Sequence, residues 1–143
     1  MKSKFSHCLL VLSLAAAPQS LSAQRDWELV RTIPNGFGGT ADLVLIPESR
    51  QRDREYYKRI ADAICGLRTT CMVEFWTDRN HIPKSELGWI PVTDLAVMTA
   101  SYERHPSYKA PVLELACWLY PSKAVAESEK CAYYPGAKKP PDK

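Results

Sequence analysis

The sequence lacks clustered positive charge, internal repeats and, after Gln24, any long apolar run. It has 19 lysines and arginines against 16 aspartates and glutamates. This near balance argues against nucleic acid or an anionic membrane as the main partner, because both select clustered positive charge. A helix that spans a bilayer needs about 20 apolar residues. We therefore expect no nucleic-acid partner and no membrane span beyond Gln24.

The chain also lacks the short motifs of several enzyme classes. It contains no Gly-x-Ser-x-Gly motif, which marks one class of serine hydrolase. The glycine-rich turn at 35–39 has neither the Lys-Ser/Thr pair nor the following helix of a phosphate-binding loop. His81 and His105 have no second ligand at zinc-site spacing. We expect no cofactor and no metal, and the absence of these motifs favours a non-catalytic protein over an enzyme.

What the sequence does contain at its start is the pattern of a cleavable export signal. Lys2 and Lys4 precede an apolar stretch, Cys8–Ala17. Small residues then offer a cleavage point after Ala23 or Ser22. The apolar stretch is about half the length of a membrane anchor. The pattern predicts a signal peptide at residues 1–23 and a periplasmic or secreted product.

Cysteines favour structural disulfides in the exported product. Of the five cysteines, Cys8 would leave with the signal, so four remain: Cys65, Cys71, Cys117 and Cys131. An even number in a short exported chain indicates disulfides, and four cysteines allow three pairings. The end of a predicted helix at Cys65 and the start of a predicted strand at Cys71 favour a bond across that turn, which leaves Cys117 for Cys131. The spacing differs from the Cys-x-x-Cys of redox catalysts.

Apolar periodicity predicts four strands and two helices. The alternating and apolar runs place strands at 27–33, 41–46, 71–76 and 112–120. The glycine-rich turn joins the first two as a hairpin. Helical spacing of apolar residues predicts helices at 49–65 and 93–104.

The order strand, strand, helix, strand, helix, strand predicts an α+β fold, a small two-layer sandwich braced by disulfides. Its length suits a single domain, expected at 24–121. The last segment, 122–143, is polar and rich in proline, and we expect it to be a tail tethered by Cys131.

Two glutamates are the candidate catalytic residues. Glu74 and Glu114 stand in otherwise apolar strands, with Trp76 and Trp118 at positions of the same alternation. If the two strands were neighbours, paired carboxylates beside indoles would resemble the floor of a sugar-cleaving or sugar-binding site. The alternative is that both glutamates are ordinary water-facing positions, paired with basic residues across the sheet.

Aromatic residues are the candidate binding residues. Trp89 lies in a long predicted loop at 77–92 and Tyr108 follows the second predicted helix. Together with Trp76 and Trp118, such side chains can anchor a protein partner. The same loop carries His81 among polar neighbours, a type of residue that can act as a general base, but no nucleophile motif accompanies it.

Two short segments carry a family resemblance. Cys71-Met-Val-Glu-Phe-Trp-Thr-Asp78 and Met98-Thr-Ala-Ser-Tyr-Glu-Arg104 resemble segments of small exported proteobacterial proteins of unknown function. The resemblance covers about Leu43 to Cys131. It implies export and disulfides, and it brings no catalytic residues.

Three hypotheses of function follow. The first is a disulfide-containing binding module of the bacterial envelope, whose partner is a protein or an envelope component. The second is a small envelope hydrolase that uses Glu74 and Glu114. The third is a structural or stress-related envelope protein without a dedicated ligand.

Overall fold

A computed structural model describes residues 25–36, 38–84 and 89–142; the expected signal peptide lies outside these ranges. The described chain forms a five-stranded sheet whose strands lie in chain order. The strands are β1 (Glu28–Pro34), β2 (Thr40–Leu45), β3 (Cys71–Trp76), β4 (Ala100–Arg104) and β5 (Val112–Leu115). Only β2 and β3 pair in parallel; the other three pairs are antiparallel. The α+β class is confirmed.

The main helix is the crossover that the parallel pair requires. This helix, α1 (Arg54–Cys65), begins at Asp53, whose side chain accepts a hydrogen bond from the Tyr56 amide at 3.0 Å. It ends at Gly66, whose φ of 52° favours glycine. Two shorter helices are α2 (Val92–Leu95) and α3 (Lys123–Ser128), and 3-10 turns lie at Glu48–Arg50, Arg79–His81 and Cys117–Leu119.

The two faces of the sheet bury different clusters. Helix α1 packs on one face through Tyr57 and Ile60, against Val73 and Phe75 of β3. The segment between β3 and β4 covers the other face, where the buried residues are Ile33, Ala41, Leu43, Trp76, Ile82 and Met98. The alternation predicted for 71–76 is confirmed. Strand β3 is covered on both faces, and its residues other than Glu74 are apolar.

An ion pair between an exposed arginine and a buried carboxylate joins the end of α1 to the sheet. Asp42 is 3% exposed and accepts hydrogen bonds from Thr32 Oγ1 at 2.6 Å and from Arg68 Nη2 at 2.8 Å. Arg68 also donates to the carbonyl oxygens of Ile64 and Cys65. One side chain therefore satisfies a buried carboxylate and caps the last turn of the helix.

Both preferred disulfides are present. Cys65 bonds to Cys71, which closes the turn between α1 and β3. Cys117 bonds to Cys131, which ties the segment after β5 to the residues that follow α3. The cysteines therefore act as structural crosslinks in the described chain.

The second predicted helix is wrong over most of its length. Helix α2 covers only Val92–Leu95, and Ala100–Arg104 form β4, so the sheet has five strands where four were expected. Met98 and Tyr102 are buried, as expected, but Tyr102 is buried as a strand residue. The spacing of the apolar residues here fits the period of a helix as well as that of a strand. Pairing of β4 with both β3 and β5 favours the strand.

The last predicted strand is too long, and the following segment is more ordered than expected. β5 ends at Leu115, because Ala116 bridges to Ala132 and the chain then makes a 3-10 turn. Beyond Pro121, α3 forms with Ser122 as its cap, and Tyr134 packs against the apolar clusters of both sheet faces. The expected tail therefore contributes to the core.

The ion pair yields a stability prediction. Replacing Arg68 with methionine leaves the buried Asp42 carboxylate without its counter-charge, and we expect a loss of about 2 kcal/mol in the free energy of unfolding. Urea unfolding of the oxidised protein measures it. The control is Arg52→Met at an exposed position, expected to change stability by less than about 0.5 kcal/mol. Equal stability of the two variants would contradict the structural role of the pair.

Candidate functional site

Glu74 is a buried carboxyl without a partner at the centre of the sheet. Its residue is 9% exposed, and among the described residues its Oε2 has no hydrogen-bond partner. It lies on the face of β3 that carries Met72 and Trp76, level with Leu43 on β2 and Ser101 on β4. Buried polar atoms are nearly always hydrogen-bonded. The missing hydrogen bond at Glu74 Oε2 is therefore unusual and requires an explanation.

Glu74 opens into a shallow, mostly apolar cleft of about 260 Å³. Its walls come from the β1–β2 hairpin on one side and from the segment that covers the sheet on the other. The lining residues are Ile33, Pro34, Asn35, Gly36, Ala41, Met72, Glu74, Ile90 and Leu95. Glu74 is the only ionisable residue among them, so the cleft presents one carboxyl within an apolar surface.

Burial alters the acidity of this carboxyl. Removal of the charged form from water raises the pKa of Glu74 from 4.5 to about 7. The group is therefore poised to gain or lose a proton near neutral pH. Such a carboxyl can donate a proton, or it can bind a cation that stabilises its ionised form.

Glu114 does not share this cleft. Strand β4 separates β3 from β5, and Ser101 stands between the two glutamates in the register. Two strand spacings put their backbones about 10 Å apart. Tyr134 lies over the intervening position, because its hydroxyl is 3.1 Å from Ser101 Oγ and donates to the Glu114 carbonyl oxygen at 3.3 Å. Glu114 itself is exposed, so the two carboxyls share a face of the sheet but not an environment.

The three candidate tryptophans lie in different surroundings. Trp76 is fully buried and its indole N–H donates to the Asp94 carbonyl oxygen at 2.9 Å, which fastens the covering segment to the sheet. Trp118 is half-buried and donates to the Met98 carbonyl oxygen at 3.1 Å. Trp89 is 58% exposed and precedes Ile90 of the cleft wall. Of the three, Trp89 presents the largest exposed fraction to a partner.

The other polar candidates form local contacts. His81 Nδ1 lies 3.6 Å from Asp94 Oδ1 in the covering segment. His105 Nδ1 lies 2.6 Å from Ser107 Oγ in the β4–β5 loop, where Tyr108 is exposed. No group of three or more histidine, cysteine or acidic side chains is placed to hold a metal ion anywhere in the ranges that the structure describes.

Sequence reasoning found Glu74 but not its surroundings. The sequence predicts Ile90 in a loop and Leu95 in a helix, as the structure has them, but it does not place them beside Glu74. It predicts Tyr134 in the tail. Glu74 carried a local signal, since it is a carboxylate in an apolar strand. Tyr134 carried none, because it is distant in sequence from the strands that it covers.

The comparisons with known proteins add no family: the chain matches no protein-family model, no curated protein and no solved structure at a significant level. The resemblance to small exported proteins therefore stays an expectation. Among the helices of the described residues, none is long and apolar enough to cross a membrane.

The raised pKa of Glu74 predicts a pH dependence of stability. Glu74 binds its proton more tightly in the folded state than in the unfolded state. Its contribution to the free energy of unfolding is therefore complete below pH 4.5 and is lost as the pH rises to about 7. At about 1.4 kcal/mol for each unit, this loss amounts to about 3 kcal/mol. To isolate this loss, the unfolding free energies of wild type and Glu74→Gln are measured in urea from pH 4 to pH 8 and subtracted. We expect the glutamine variant to gain stability relative to wild type as pH rises; parallel curves would refute the assignment.

Proposed function

We propose that the protein is a non-catalytic binding module of the bacterial envelope, with the Glu74 cleft as its ligand-binding site. The observation that carries the proposal is the Glu74 carboxyl, which is nine-tenths buried and lines an apolar cleft, and whose Oε2 has no hydrogen-bond partner among the described residues. A ligand that supplies a hydrogen bond or a charge to this carboxyl would offset the cost of burying it. Apolar walls with a few placed polar groups are the usual composition of a binding site.

The partner is an envelope component or protein, and exposed groups beside the cleft support such contact. Trp89 and Val92 are exposed on the segment that forms one wall. Large aromatic side chains at the edge of a pocket are frequent anchors of recognition. The surface around the cleft therefore offers apolar area beyond the cleft itself.

An export signal and the disulfides support the envelope as the place of action. Disulfides such as Cys65–Cys71 and Cys117–Cys131 are typical of proteins outside the cytoplasm. The sequence pattern at residues 1–23 is that of a signal peptide. We propose a periplasmic or secreted protein on these two grounds.

The second candidate function is hydrolysis by Glu74 and Glu114. It is favoured by the pKa of Glu74, about 7, which suits a general acid. A glycosidase, however, places both carboxyls on either side of one bond. Here Ser101 and the covering Tyr134 stand between them. The binding function needs only Glu74 and its cleft, and we prefer it for that reason.

The proposed function predicts stabilisation of the mature protein by fractions of envelope extract. Fractions that contain the ligand should raise the melting temperature of wild type by several degrees, as binding to the folded state does. Glu74→Gln should lose this shift, because the glutamine cannot ionise. Glu114→Gln is the matched control on the same sheet face and should keep it.

Two outcomes would contradict the proposal. One is that no envelope fraction stabilises the protein, which would favour a structural role. The other is that wall polymers are cleaved in the presence of wild type and left intact with either glutamine variant, which would favour the hydrolase.

A further inference from the structure

The sheet face that carries Glu74 also carries two further carboxylates, both outside the described lining of the cleft. Glu74, Ser101 and Glu114 lie in one row across β3, β4 and β5. Met72, Glu103 and Val112 form the next row on the same face of the sheet. Glu103 stands opposite Met72, which lines the cleft, and so lies diagonal to Glu74. The face therefore carries one buried and two more accessible carboxylates along adjoining strands.

Two basic residues near this face, Arg31 and His81, make contacts elsewhere. Arg31 of β1 lies in the same row as Glu74, across Leu43, but its guanidinium donates to the Lys84 carbonyl oxygen. In the covering segment, His81 is beside Asp94. The pKa of Glu74 is raised by burial and not by a neighbouring charge.

We propose that the Glu74 cleft binds a primary ammonium group carried on an apolar stem, which rests on the binding function proposed above. The stem would lie along the apolar walls at Ile33, Met72 and Leu95 while the ammonium donates to the Glu74 carboxylate. Such a group occurs both on a free aliphatic amine and on a lysine side chain of a partner polypeptide. The cleft recognises the chemistry that the two have in common.

Size and donor geometry select this occupant. Pockets for drug-sized ligands usually measure about 300–1,000 Å³, and a cleft of about 260 Å³ is suited to one side chain or a short amine. Because Oε2 of Glu74 is fully buried, at most one oxygen of the carboxylate can face a ligand. An ammonium is a compact charge that can serve one acceptor, whereas a guanidinium binds best to two oxygens at once.

Protonation of Glu74 should oppose binding. The groups that face it from the surrounding elements are Arg31 on β1, Glu103 on β4, Glu114 on β5, Tyr134 near the end of the described chain, and Asp94 and His81 in the covering segment. Burial raises the pKa of the Tyr134 hydroxyl, so that group stays neutral. Because burial raises the pKa of Glu74 to about 7, affinity for an ammonium should fall roughly tenfold from pH 8 to pH 6.

The test is an NMR titration of the mature, oxidised protein with three probes of similar length: n-hexylamine, n-hexanol and N-acetyl-lysine amide. At pH 8 we expect n-hexylamine, N-acetyl-lysine amide or both to bind and to shift signals of Met72, Ile90 and Leu95, and n-hexanol to bind at least tenfold more weakly. Glu74→Gln should reduce amine affinity at least tenfold, and Glu114→Gln by less than threefold. Tighter binding of n-hexylamine points to free amines, and tighter binding of the lysine derivative to a polypeptide partner.

Three results would overturn the inference: equal binding of n-hexanol and n-hexylamine, unchanged amine affinity in Glu74→Gln, or no binding of either amine. The amide signals of Glu74→Gln verify that this variant is folded. If neither amine binds while an envelope fraction still stabilises wild type but not Glu74→Gln, the ammonium specificity is wrong and the binding function stands. If the probes and the envelope fractions all fail, both are wrong.

Discussion

The crossover from β2 through α1 to β3 is the constraint on which the other elements depend. Parallel strands cannot be joined by a tight turn, so the helix has to return the chain to the edge of β2 in register. The Asp42–Arg68 ion pair and the Cys65–Cys71 disulfide act together at this return. The first connects the helix end to β2, and the second connects it to β3. With β3 fixed in this way, β4 and β5 can add to its free side as a meander.

The same constraint explains the burial of Glu74. A central strand covered on both faces has little contact with water, so most side chains of β3 have to be accommodated in protein. Met72 and Trp76, its neighbours on that face, are apolar and satisfy this without cost. Glu74 does not, and burial of an unpartnered carboxyl opposes folding. The binding site that we propose at this point would account for a residue that packing alone would exclude.

The parts of the fold that depend on local pattern could be predicted from the sequence. The β1–β2 hairpin, the α1 stripe, the alternation in β3 and the disulfide at the α1–β3 turn all involve residues close together in the chain. Strand β4 could not be predicted, because its apolar spacing fits two periods and its partners lie more than ten residues away on one side. The place of Tyr134 is of the same kind: its packing joins the end of the chain to strands far earlier in sequence.

For the site, the sequence by itself determined that Glu74 and Glu114 occupy strands and that Glu74 is an unusual residue there, because the alternation of a strand is a local property. Only the tertiary structure decided that Glu74 is buried beside an apolar cleft while Glu114 is exposed. It also decided that Trp76 is a core residue and Trp89 a surface one. The physical reason is that burial and ionisation depend on which distant segments cover a strand, and that cover is settled by packing over the whole chain.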